Sequence, residues 1–235
     1  MGDPITFLAA HCGMLWRPGP REAAGVAGLF LLGLAGSAAH CSAMCGPLVV
    51  GQVADRLARV PASGMCEAHR LRSGLLLPYH AGRLTTYAAL GAAAGAAGLA
   101  FVAWMAPLRG VLLLLAAAVL LRAAWSRFRA GNAGGWPGRW ARGFDRTRPA
   151  GAYFFGLIMG LLPCGLLYAA LVAACALATP LAGAAGMLAF GLGTVPVLAA
   201  IGVAGHLPAT RLVVARAAPW VMVGNALLLV VMAVK

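Results

Sequence analysis

Two stretches of this sequence contain no charged residue at all, positions 23–54 and positions 149–210. One helical bilayer crossing takes about 20 apolar residues, so the second stretch holds two crossings and a tight turn. Measured the same way, the whole chain predicts six membrane-spanning helices. They run at about Ala24–Val53, Leu75–Phe101, Leu108–Trp125, Ala150–Ala178, Leu181–Gly205 and Pro219–Val234, each bounded by charge, Gly or Pro. The narrowest boundary is Val102–Pro107, between the second and third spans. Trp104, Trp125, Trp136, Trp140 and Trp220 fall at or just outside predicted ends, as an interfacial aromatic belt does. The expected fold is an all-α integral membrane protein, a single polytopic domain over residues 1–235.

Composition removes the soluble alternative. Hydrophobic residues make up 62% of the chain and charged ones 10%, against roughly a quarter charged in soluble domains. The net charge of +13 is not a nucleic-acid signal, because the arginines cluster between apolar spans without interleaved aromatics. They suit cytoplasmic loops and anionic headgroups of the lipid bilayer. Loops after the first, third and fifth spans, with Arg122, hold thirteen basic residues; Arg17, Arg21, Arg109 and Lys235 lie on the other side. That bias puts both termini outside the cytoplasm of a bacterial inner membrane. The first twenty residues lack a basic region before an apolar core, so the first span is expected to stay in the mature protein.

Three spans, a long basic loop and three more spans imply a duplication, with residues 22–126 and 150–235 as inverted repeats and 127–149 as the cytoplasmic loop. The first span of each half has a Gly-rich approach followed by Cys-Gly: Gly33 and Gly36 before Cys45-Gly46-Pro47, and Gly156 and Gly160 before Pro163-Cys164-Gly165. Neither proline can donate a backbone hydrogen bond, so each span should kink or unwind beside its cysteine. Backbone opened at membrane depth is tolerated only around protein or a cavity, and Pro47 and Pro163 become candidate gating positions.

His40, Cys41, Met44 and Cys45 follow at i, i+1, i+4 and i+5, which predicts one helix face. Reactive groups inside a membrane are expensive and by default functional. Imidazole, thioether and thiolate, with Cys164 from the other half, form a soft set suited to Cu(I) or Zn(II), and less well to Ni(II). The same thiols suit disulfide exchange. Cys175, on a poly-Ala face, reads as a small hydrophobe. Cys66-Glu-Ala-His69 and His11-Cys12-Gly-Met14 each offer a ligand pair in segments expected to be solvated loops. Gly191-Leu-Gly193-Thr194-Val-Pro196 is expected to interrupt the fifth span, lining the cavity or packing helices with its small residues. Tyr79, His80 and Arg83 sit near the cytoplasmic end of the second span, where Arg83 is expected to snorkel to headgroups. An anion exporter would want cationic groups at the midplane, and Arg83 alone offers one.

The segments Gly36–Pro47, Tyr79–Tyr87, Gly160–Tyr168 and Phe190–Pro196 resemble the bacterial cytochrome c biogenesis transmembrane-region family. Its members are also labelled sulfite exporter-like or urease accessory-like membrane proteins. The family is more distantly similar to membrane reductant conduits of the DsbD and CcdA type. That resemblance implies that Cys45 and Cys164 pass reducing equivalents from cytoplasmic thioredoxin to extracytoplasmic thiol proteins, such as apocytochrome or copper-assembly clients. This chain departs from the conduit pattern by adding His40, Cys41 and Met44 beside Cys45. The departure keeps a Cu(I) permease, served by a copper chaperone, as the alternative.

Overall fold

The computed structural model describes residues 19–60, 64, 66–98, 100, 111, 114–115, 117–118, 120–122, 124–125, 145, 147–162 and 164–234. Among these residues the only regular structure is helical. In chain order the helices are α1 (Pro20–Gly36), a π-helical turn (Ser37–Cys41), α2 (Ser42–Met44), α3 (Gly46–Leu57), α4 (Glu67–Leu75), α5 (Leu77–Ala97), α6 (Pro149–Gly160), α7 (Gly165–Cys175), α8 (Pro180–Ala204) and α9 (Pro208–Val234). Proline opens α1, α6 and α8 in the first turn, where a missing N–H costs nothing.

Among the described residues, Pro20–Met44, Pro180–Ala204 and Pro208–Leu228 are long and apolar enough to cross a membrane, with mean hydropathies of 1.6, 2.0 and 1.2. The α6–α7 pair, bent by 76°, makes a fourth when taken as one broken span. The 21-residue α5 has the length but not the apolarity, because it carries His80 and Arg83. Eight of the eighteen residues of the expected third span and most of the loop 127–149 lie outside the described residues.

Several boundaries differ from expectation. The second span begins at Leu77, because Leu76 takes a left-handed conformation (φ 49°) and ends α4 there. The sixth starts at Pro208, eleven residues before the expected Pro219, which sits inside α9. Arg211 and Arg216 therefore belong to a helix and not to a loop. The fifth is unbroken through Gly191–Pro196; Thr194 Oγ1 turns inward on its own helix and donates to the Gly191 carbonyl at 2.7 Å.

The core forms around α8 and α5. Helix α8 lies along both α1 and α5, and α6 packs on α5. Glycines set these crossings. A Cβ on Gly33 would strike the Phe190 carbonyl, and one on Gly193 the Phe30 carbonyl, so α1 and α8 meet backbone to backbone. Gly82 and Gly156 do the same between α5 and α6, and Gly91 and Gly183 between α5 and α8. Lipid tails are as apolar as leucine, so close packing through small residues replaces hydrophobic drive inside a bilayer. The outer face stays apolar: Leu31, Phe154, Leu192, Leu227 and Val231 are exposed, as are Trp125 and Trp220.

Candidate functional site

The cysteine motif of the first half sits where its helix changes form. Ser42 Oγ donates back to the Ala38 carbonyl at 2.6 Å, a contact that bends helices. The backbone widens into the π-helical turn Ser37–Cys41, a form enriched at functional sites. Cys45 N–H still bonds Cys41 at 2.8 Å, but Cys45 itself is a junction, and α3 starts at Gly46 with Pro47 in its first turn. The expected disturbance beside Pro47 is this junction. Pro47 is buried in the α3 start.

At the second cysteine motif the helix breaks. Helix α6 stops at Gly160, and Cys164 is extended (φ −124°, ψ 154°) as the N-cap of α7. Its Sγ accepts a hydrogen bond from the Leu167 amide at 3.4 Å. Pro163 lies outside the described residues. Each Cys-Gly thus stands at the start of a helix.

Cys41 and the half-buried Cys45 pack with Val49, Val53, Tyr79 and Leu198; Cys164 packs against Leu167, Tyr87 and Phe190. Leu166 belongs to both neighbourhoods, and a Cβ on Gly36 would meet its side chain at 2.6 Å. Cys41, Cys45 and Cys164 are close enough for their charges to act on one another. Cys41, Cys45, Cys66, Cys164 and Cys175 are all free thiols.

Facing these thiols is α5. Tyr79, Arg83 and Tyr87 recur at i, i+4 and i+8, so they share one face. Arg83 does not snorkel to headgroups. It is 3% exposed, donates from Nη2 to Tyr87 Oη at 2.8 Å, and lies over the rings of Tyr79 (5.7 Å) and Tyr87 (5.4 Å). Its Nε and Nη1 have no hydrogen-bond partner among the described residues; the same holds for Tyr79 Oη and both ring nitrogens of His80. Groups so deeply buried are ordinarily satisfied by protein, water or ligand, so this face marks a place where something polar belongs.

The remaining candidates separate. Met44 is buried and His40 half-buried, its Nε2 without a partner. Among the described residues no three His, Cys, Asp or Glu side chains form a group able to hold a metal ion. Gly193 is taken up by the α1–α8 crossing, Thr194 bonds its own helix, and Pro196 lies on the exposed face of α8. Helix α8 runs unbroken past all three. Cys66 is exposed at the start of α4, on a helix end where a loop was expected. Cys175 is buried among Leu171, Ala174 and Leu177, in keeping with its hydrophobic reading. His11, Cys12 and Met14 lie outside the described residues. Sequence reasoning passed over Gln52, fully buried in α3 with neither amide atom partnered. A lone amide inside the charge-free run 23–54 was the available signal. It also passed over the Tyr79–Arg83–Tyr87 spacing.

No curated protein and no solved structure matches the chain. The model of the family described as "Cytochrome C biogenesis protein transmembrane region" matches residues 28–234, which span both cysteine motifs and the helix of Arg83. A match over that much of the sequence makes this chain a multi-pass membrane member of the cytochrome c biogenesis transmembrane-region family.

Proposed function

We propose that the protein is a membrane thiol–disulfide conduit, in which Cys45 and Cys164 pass reducing equivalents from a cytoplasmic thioredoxin-like donor to an extracytoplasmic thiol protein. One observation carries the reading. Two Cys-Gly dipeptides 119 positions apart each lead into a helix, and their thiols pack into neighbouring cores that share Leu166. Family membership supports the class of chemistry.

The exchange balances without a cofactor. A donor thiolate attacks one sulfur of a Cys45–Cys164 disulfide, the S–S bond breaks, and its electron pair leaves on the other sulfur as a thiolate. The donor's second thiol then attacks the mixed disulfide and releases the first cysteine. The donor leaves oxidised, and the pair holds two thiols for the outer client. Closing the pair again needs sulfurs about 2.05 Å apart and Cα atoms within about 7 Å, which broken helices can supply by a small swing. In this reading the chain forms six spans as inverted repeats 22–126 and 150–235 in a bacterial inner membrane, with both termini outside the cytoplasm and the Arg-rich loop inside. An apocytochrome or a copper-assembly protein is the client.

The test is a mutant set in membranes supplied with a thioredoxin system. Cys45→Ser and Cys164→Ser should each abolish transfer, since one thiol cannot complete a cycle. His40→Ala and Met44→Leu should leave substantial activity. Loss at His40 or Met44 equal to loss at Cys45, with copper accumulation changing in step, overturns the conduit in favour of a Cu(I) permease.

A further inference from the structure

A guanidinium with almost no exposure, no carboxylate beside it and two nitrogens unpartnered needs a reason. The chain has five acidic residues. The four described ones, Glu22, Asp55, Glu67 and Asp145, stand in first or last helix turns or in a loop. None is among the groups that act most strongly on Arg83; those are Tyr87, Tyr79 and Cys45. The Cys41 side chain lies beside the guanidinium, and Cys164 feels its charge as well. A buried, unpaired charge is costly enough to be lost unless its partner appears at some point in the working cycle. Around Arg83 the groups that can become anions are sulfurs and phenols, and thiol–disulfide exchange puts a full negative charge on sulfur at every step.

We propose that Arg83 is a positioning residue of the exchange, holding its guanidinium where negative charge gathers on the leaving sulfur as the disulfide opens. The inference rests on the conduit reading. Tyr87 fixes one nitrogen through its hydroxyl and stacks with Tyr79 against the plane, leaving Nε and Nη1 for the sulfur. When the S–S bond breaks, the electron pair moves to the departing sulfur, the guanidinium stabilises that thiolate, and a proton later neutralises it. The buried Cys41 thiol lies in contact with the guanidinium and narrows its third side.

The test uses the full chain in proteoliposomes, oxidised with diamide, with dithiothreitol as the reductant and maleimide gel shift as the readout. Formation of a Cys45–Cys164 disulfide in the wild type is measured first; its absence overturns the conduit and this inference with it. With the disulfide formed, Arg83→Gln should slow its reduction roughly tenfold to a hundredfold, the worth of one charge-assisted hydrogen bond. Arg83→Lys should restore most of the rate, because it restores the charge. Tyr87→Phe, which removes a phenol and keeps the ring, should slow reduction by a smaller factor and carries the test should the glutamine variant fail to insert. Arg83→Gln and Arg83→Lys reduced at the same rate, or Tyr87→Phe and both Arg83 variants at the wild-type rate, overturn the proposal while leaving the conduit intact.

Discussion

Replacing Gly156 by alanine tests the crossing that presses α6 onto α5. The added methyl would strike the carbonyl of Tyr79 and the amide of Arg83, both backbone atoms with no rotamer to yield. The helices must part by on the order of 1 Å, because close-packed interiors absorb little. Overpacking of this kind costs about 2–3 kcal/mol, and the better helix propensity of alanine returns up to about 1 kcal/mol. A net loss of about 1–2 kcal/mol in a chain of this size lowers the unfolding midpoint by roughly 2–8 °C. Gly28→Ala is the control. Nothing lies within 4 Å of its Cβ position, so only the propensity gain of up to about 1 kcal/mol remains. Midpoints are read by circular dichroism in detergent micelles. Gly82→Ala meets Tyr153 and Leu157 from the opposite side of the same crossing, so the double variant should cost less than the sum of the two singles. Equal midpoints for Gly156→Ala and Gly28→Ala, or full additivity with Gly82→Ala, would refute the close crossing.

Two further outcomes follow from burial and charge. In membrane vesicles opened to both sides, maleimide should label Cys66 fast and Cys41 and Cys175 slowly, because the first is exposed and the others are each 5% exposed; comparable rates would mean that the interior is looser than described. A reporter fused after Lys235 should be active only outside the cytoplasm, and cytoplasmic activity there would break the argument from the arginine bias.

Much of this fold was legible because membrane helices advertise themselves by what they lack. The charge-free runs 23–54 and 149–210 located α1–α3 and α6–α8. Proline beside Cys45 anticipated the start of α3, since a residue without an N–H belongs in the first turn of a helix and so reports a new one starting. The fifth span was misread for a related reason. Glycine and proline within an apolar run can mark either a break or a close approach, and only the partner decides. Gly193 faces the Phe30 carbonyl, so its small size serves the crossing, and Pro196 is carried on the outer face of an intact α8. The start of α9 was missed because Arg211 and Arg216 looked like loop residues, although an amphipathic first stretch carries such side chains without leaving the helix.

The site shows the deeper limit. Arginine near a span end usually extends to headgroups, and nothing local in His80-Ala-Gly-Arg83 says otherwise. Arg83 is buried against the rings of Tyr79 and Tyr87 and the thiols of elements distant in sequence. The chain did contain the relevant pattern, tyrosines four residues to either side of the arginine, yet that pattern identifies a shared face without saying which way the face turns. Its direction is set by tertiary crossings whose partners are distant in sequence. The consequence reaches function. A polar face turned toward lipid would be an anchor, whereas the same face turned toward three thiols supplies a fixed positive charge to a chemistry that makes anions.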